Sequence, residues 1–185
     1  MLTATLNSPE ATGVFAHLLA ASLAPPALVT LRGELGTGKT TLVRDILRTL
    51  GVEGVVASPS FTLAQSYEGA GGLCLHHLDL YRLGPGADAA LFAWEDYLDG
   101  SSLTFVEWPE AGAAELPPAD VDVLLSHRTP ASRGLALRAA PAVEETLAAA
   151  MAAAGIDDVV LAPGAVSATP SAAGAPDSHD GGATT

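Results

Sequence analysis

Lysine and cysteine are almost missing from this chain of 185 residues: Lys39 is the one lysine and Cys74 the one cysteine. A lone cysteine leaves no intramolecular disulfide and no cysteine-built metal cluster, which fits a reducing compartment. Bases of either kind are scarce, eight against 21 acids, for a formal net charge of −13. The imbalance is not uniform. From Ala142 onward there are six acids and neither Lys nor Arg, so the preceding part holds 15 acids against all eight bases. A surface of that sign repels phosphate backbones, so any RNA would have to be held by another protein. No apolar run approaches the ~20 residues of a membrane span, and the first twenty residues lack the basic-then-apolar pattern of a secretory leader. A cytoplasmic protein without a membrane partner is expected. No internal repeat is visible.

What is present reads as alternating strands and helices. Ser8-Pro9-Glu10 combines a capping hydroxyl, a first-turn proline and an acid at the positive end of the dipole, the signature of a helix start. Phe15, Leu18, Leu19 and Leu23 continue it at helical spacing until Pro25-Pro26 stops it. Ala27 to Leu31 reads as a buried strand, Thr41 to Leu50 as a helix ended by Gly51, and Phe61 to Tyr67 with Leu73 to His77 as a hairpin about Gly69 to Gly72. A helix is expected over Asp88 to Leu98, and strands over Leu103 to Val106, Val121 to Leu125 and Leu135 to Leu137. Together they indicate an α/β sandwich. Val143 to Ala154 is an alanine-rich helix by propensity, while Gly164 to Thr185 lacks the apolar surface to offset chain entropy and is expected to be disordered. The chain therefore divides into a main domain over residues 1–141, a helix and linker over 142–163, and a tail over 164–185.

Between the first strand and the second helix stands GELGTGKTTL, in which Gly33, Gly38, Lys39 and Thr40 match G-x-x-x-x-G-K-[ST]. The residue types follow from the task. Glycines let backbone N–H groups turn inward around an anion, and the next helix adds its positive end. Lysine reaches the β- and γ-phosphates, and the Thr40 hydroxyl coordinates Mg²⁺. That the one lysine stands here, in a chain with seven arginines, points to a steric need a guanidinium would not meet. The loop is read as a nucleotide cradle. Guanine-reading loops need N-K-x-D, which a chain with one Asn (Asn7) and one Lys cannot form, so adenine is the expected base.

A phosphate loop also needs an acid at a neighbouring strand end for the metal or its waters. Asp79 and Glu107 are the candidates, and Glu107 has the cleaner apolar lead-in. Ser58 to Thr62 is a candidate switch loop. His76 and His77 are adjacent and so point to opposite faces of a strand, which argues against one shared ion. Cys74 and Trp94 read as core residues, and Trp108 as core or as a wall of the nucleotide site.

GELGTGKTTL, SPSFTL, HHLDLYRL and VEWPE, in that order and spacing, resemble the bacterial TsaE (YjeE) family over roughly Leu2 to Ala140. The resemblance implies a P-loop NTPase-like, three-layer α/β sandwich around a mostly parallel sheet. It also implies ATP hydrolysis with Mg²⁺ in support of TsaB and TsaD, which attach threonylcarbamoyl to the adenosine beside the anticodon of tRNA. The ATPase would dock on that pair and reset it, meeting tRNA only through its partners. Carried onto this chain, Gly36, Thr37, Gly38, Lys39, Thr40 and Thr41 bind ATP, with Thr12 and Arg133 also touching the nucleotide. Thr40 and Glu107 hold the metal, Asp79 joins Glu107 as a catalytic acid, Thr62 is the switch threonine, and Trp108 stands beside the metal acid. Ser60 departs from the threonine usual at its place. Two other readings compete. One is a small-molecule P-loop kinase, for which Arg128, Arg133 and Arg138 are too dispersed to form a basic lid. The other is a nucleotide-gated scaffold that does not hydrolyse ATP. Arg82 is weighed as an arginine finger and assigned to the surface, so hydrolysis is expected to be slow without a partner.

Overall fold

The computed structural model describes residues 1–56, 63–83 and 92–162. At its centre lies β2 (Ala27–Arg32), whose Leu28, Val29, Thr30 and Leu31 are all buried, as a strand covered on both faces requires. It runs parallel to β5 (Leu103–Glu107) on one side and to β6 (Val121–His127) on the other. Beyond β5 lies β4 (Cys74–Asp79), also parallel, and then β3 (Ala64–Glu68), antiparallel to β4. Beyond β6 come β7 (Arg133–Arg138), β1 (Leu2–Leu6) and β8 (Asp157–Leu161), each antiparallel to its neighbour. The eight strands thus follow the order β3-β4-β5-β2-β6-β7-β1-β8. Three of seven pairings are parallel, so the sheet is mixed rather than mostly parallel. The short reversals between β3 and β4 and between β6 and β7 enforce antiparallel ladders, since a parallel pair would need a long crossover connection.

Helices α1 (Pro9–Ser22), α2 (Lys39–Thr49) and α3 (Pro141–Ala153) all bury their apolar residues in one core. Phe15 and Leu19 of α1, Leu42 and Ile46 of α2, and Leu147 and Met151 of α3 share it with Leu2, Val29, Phe105 and Leu137 of the sheet. Ser8 caps α1 as the sequence suggests, its Oγ accepting from Ala11 N at 3.2 Å. Over the other face a smaller cluster (Leu28, Leu78, Leu80, Trp94, Val106) is covered by short 3₁₀ turns and loops. Further along that face a row of Leu124, Ala136, Thr3 and Val160, aligned by register across β6, β7, β1 and β8, lines an open cleft. The three-layer expectation is therefore corrected: among the described residues the α-helices occupy one face only. On that face Thr3, Thr5 and Ser126 stand among Leu124, Ala136 and Val160, and Leu124 and Val160 stay exposed.

Two strands, β1 inside the sheet and β8 at its edge, were not foreseen. β1 precedes the first helix, and β8 occupies part of the segment expected to be linker. Over 88–98 the described part shows a single 3₁₀ turn, Trp94–Asp96, in place of a helix. Trp94 is buried, whereas Cys74, expected in the core, is exposed at the start of β4. The predicted strand residues Phe61 and Thr62 and the predicted tail lie outside the described residues. No helix among the described residues is long and apolar enough to cross a membrane.

Candidate functional site

The parallel register places Leu31 and Asp79 on either side of Glu107. The carboxyl ends of β2, β4 and β5 therefore form one rim, the usual position of a ligand in an open α/β sheet. The loop from β2 to α2 crosses this rim. Gly33 adopts φ 131°, and a Cβ there would stand 2.1 Å from the Leu125 carbonyl oxygen. Gly38 adopts φ 100° as the residue preceding α2, with no side chain blocking the helix's free N–H groups.

A cleft of about 260 Å³ opens above the helix terminus, lined by Gly36, Gly38, Lys39, Thr40, Thr41, Asp79, Glu107 and Trp108, with Leu35 and Tyr81 at its mouth. Lys39 is only 4% exposed. Its Nζ donates to the Gly33 and Glu34 carbonyls at 2.7 and 2.9 Å and lies 3.8 Å from the centre of the Trp108 ring. Burial pushes this ammonium below its ordinary 10.5, while the charges of Glu107, Asp79 and Glu110 pull the other way. Trp108 reaches its position through a left-handed turn, φ 58°, directly after β5, a conformation that is costly for a bulky residue. Tyr81 packs against its ring at 4.8 Å.

Thr40 Oγ1 donates to Glu107 Oε2 at 2.9 Å. The other carboxylate oxygen, Oε1, lies 2.8 Å from Nε2 of His77, with both side chains buried. Asp79 is half-buried at the end of β4, its Oδ1 accepting from Tyr81 N at 3.1 Å. A hydroxyl and a carboxylate in contact beneath a lysine form a hard-oxygen donor pair that suits Mg²⁺, which keeps most of its shell for water and phosphate. No group of three or more His, Cys, Asp or Glu among the described residues converges into a metal cage.

The remaining sequence candidates are placed differently. Thr37 lies beneath the loop, its Oγ1 donating to Glu34 O. Thr12 sits in the first turn of α1, where its Oγ1 donates to Ser8 O, and it does not line the cleft. Arg133 approaches from behind: Nε donates to Thr37 O at 3.0 Å and an Nη to Gly36 O at 3.5 Å. His127 adds a contact to Leu35 O at 3.2 Å. The β6–β7 hairpin thus braces the loop from the side away from the cleft. Thr62 lies outside the described residues. His77 was missed. Neighbouring histidines argue against chelation, and only the register of β4 with β5 reveals that one of them meets Glu107.

The sequence profile described as "Threonylcarbamoyl adenosine biosynthesis protein TsaE" matches residues 6–135. The chain belongs to the TsaE family. Among the relatives of this TsaE chain, a protein of Haemophilus influenzae named tRNA threonylcarbamoyladenosine biosynthesis protein TsaE is 40% identical over 100 residues, 54% of this chain and 63% of the relative. The match thus spans less than two thirds of that relative's length. Proteins of the same name from Rickettsia conorii and Bacillus subtilis are 39% and 34% identical, each over 65% of this chain and over 69% and 74% of their own length. The crystal structure of YdiB from Bacillus subtilis superposes with a TM-score of 0.66 at 26% identity, covering 84% of this TsaE chain and 97% of YdiB.

Proposed function

We propose that this TsaE chain is a Mg²⁺-dependent ATPase of tRNA threonylcarbamoyladenosine biosynthesis that docks on and resets a TsaB–TsaD complex. The observation that carries the reading is the contact between Thr40 and Glu107, 67 residues apart, beside Lys39 at the amino end of α2. A plain glycine turn would have no use for a buried carboxylate meeting the first helical hydroxyl. The names of the relatives support the pathway.

The residues divide the work by position. Free N–H groups at the start of α2 and the Lys39 ammonium would hold the phosphates, and Thr40 with Glu107 would hold the metal. When bound, Mg²⁺ supplies positive charge to the phosphate oxygens and to the leaving group. Asp79, at the same rim and nearer solvent, would accept a hydrogen bond from the attacking water and orient it. Trp108 shields Lys39 from solvent, which strengthens the ammonium's interaction with an incoming anion. A net charge of −13 agrees with tRNA being held by the partners. With no cationic finger assigned over the cleft, hydrolysis is expected to be slow until a partner completes the site.

The test is reconstitution: the chain is mixed with TsaB, TsaD, substrate and tRNA, and modification is followed over many cycles. Requirement for the chain, with loss in Glu107→Gln under retained ATP binding, supports the reading. Multiple turnovers without the chain, or with Glu107→Gln at full rate, would overturn it.

A further inference from the structure

His77 stands at the centre of β4 with no exposed surface, next to Glu107, whose other oxygen meets Thr40. A carboxylate accepts hydrogen bonds and donates none, so the Nε2 of His77 carries the hydrogen in the 2.8 Å contact with Glu107 Oε1. Nδ1 is then a bare acceptor, and it is buried without a hydrogen-bond partner among the described residues. The ring thus has one directed bond, and that bond ends on Glu107. Its strand neighbour His76 faces the other side of the sheet, where Ser66 Oγ and the Tyr97 ring meet it. The two histidines are therefore unequal in position and chemistry.

We propose that His77 is a positioning residue, holding Oε1 of Glu107 so that Oε2 is presented to the Thr40 hydroxyl and to the metal the pair would bind. The inference rests on the reading of Thr40 and Glu107 as metal ligands and adds a group that acts through one of them. A carboxylate bound at a single oxygen can rotate about its last bond. One bound at both, by Thr40 and by His77, has a single orientation before any ligand arrives. Outer partners of this kind typically change metal affinity or activity by roughly ten- to a hundredfold when removed. Asp79, on the same rim, is held differently: its Oδ1 accepts from the Tyr81 backbone at the surface.

The experiment compares His77→Gln, His77→Asn and His77→Leu with the wild type and with Glu107→Gln. The glutamine amide nitrogen reaches the place of Nε2, the asparagine amide stops at that of Nδ1, and leucine has no donor. Two quantities are read: Mn²⁺ affinity in the presence of a non-hydrolysable ATP analogue, by electron paramagnetic resonance, and metal-free ADP affinity, by calorimetry. Asn and Leu are expected to weaken Mn²⁺ binding roughly ten- to a hundredfold, Gln to recover most of it, and metal-free ADP binding to stay within about twofold in every folded variant. Should Leu fail to fold, the contrast between Gln and Asn still decides the matter. Equal Mn²⁺ affinity in Gln and Asn, or wild-type affinity in Asn, overturns the role of His77 while leaving the metal site intact. Loss of site-specific Mn²⁺ binding in the wild type itself, or its persistence unchanged in Glu107→Gln, overturns the metal reading and the inference together.

Discussion

Single residues carry much of the behaviour expected of this site. Lys39 is held by two loop carbonyls and roofed by Trp108. Lys39→Ala should therefore weaken ATP binding by about 1.5–3 kcal/mol, roughly ten- to a hundredfold in calorimetry, the ordinary range for a hydrogen bond to a charged group. Gly33 tests the loop's shape instead of its charge. A Cβ aimed at the Leu125 carbonyl from 2.1 Å has no flexible neighbour to displace, so Gly33→Ala should cost more than about 2 kcal/mol of stability in urea denaturation. His76 gives a pH dependence. Burial depresses its imidazole below the ordinary 6.5, with Asp99 acting weakly in the other direction. The unfolded chain then binds the proton more readily than the folded one. The His76 contribution is complete above about pH 6.5 and is lost as pH falls toward the lower folded value. Unfolding curves from pH 7.5 to 5 should show this loss, and His76→Gln should reduce it. Lys39 and Thr40 were legible in the sequence because a phosphate loop dictates residue types at fixed spacing, and Glu107 as one of two candidate acids, favoured by the apolar run that leads into it. His77 was not, since its role arises from strand register, which no local pattern encodes.

Elements were readable to the degree that their signals are local. Ser8 announced α1, and Ser8→Ala should lower stability by about 1 kcal/mol in thermal or chemical unfolding, the common worth of such a cap. The central strands were visible as compact apolar runs. β1 and β8 were not, because LTATL and DDVVL are short segments, the first interior and the second at the sheet edge, whose strand character comes from the ladders they join. The same limit applies to parallel against antiparallel pairing, which depends on how chain reversals return. Arg133 shows an element at work: from the start of β7 it holds the carbonyls of Gly36 and Thr37. Arg133→Ala is expected to weaken ATP binding while shifting the unfolding midpoint little, because the hairpin's own ladder stays intact. Calorimetry beside a melting curve separates the two effects.

For the whole molecule, the segment beyond Ala140 belongs to the fold at least as far as Ala162. Leu147 and Met151 of α3 are fully buried in the main core. Thr5 donates to Asp158 at 2.8 Å, and Asn7 bonds Asp157, which fastens β8 to β1 and its C-terminal end. A chain ending at residue 140 is expected to lose cooperative unfolding or to aggregate, which melting curves beside the full-length chain would show. The brace behind the phosphate loop has a wider consequence. β6 and β7 run from the Gly36 and Thr37 carbonyls to the open cleft of the sheet, so on the proposed function this ribbon would act as a lever with its short arm on the nucleotide cradle. A protein that presses on the far arm would loosen or tighten the grip on nucleotide without entering the cleft, and a spent nucleotide could be let go by a push from outside.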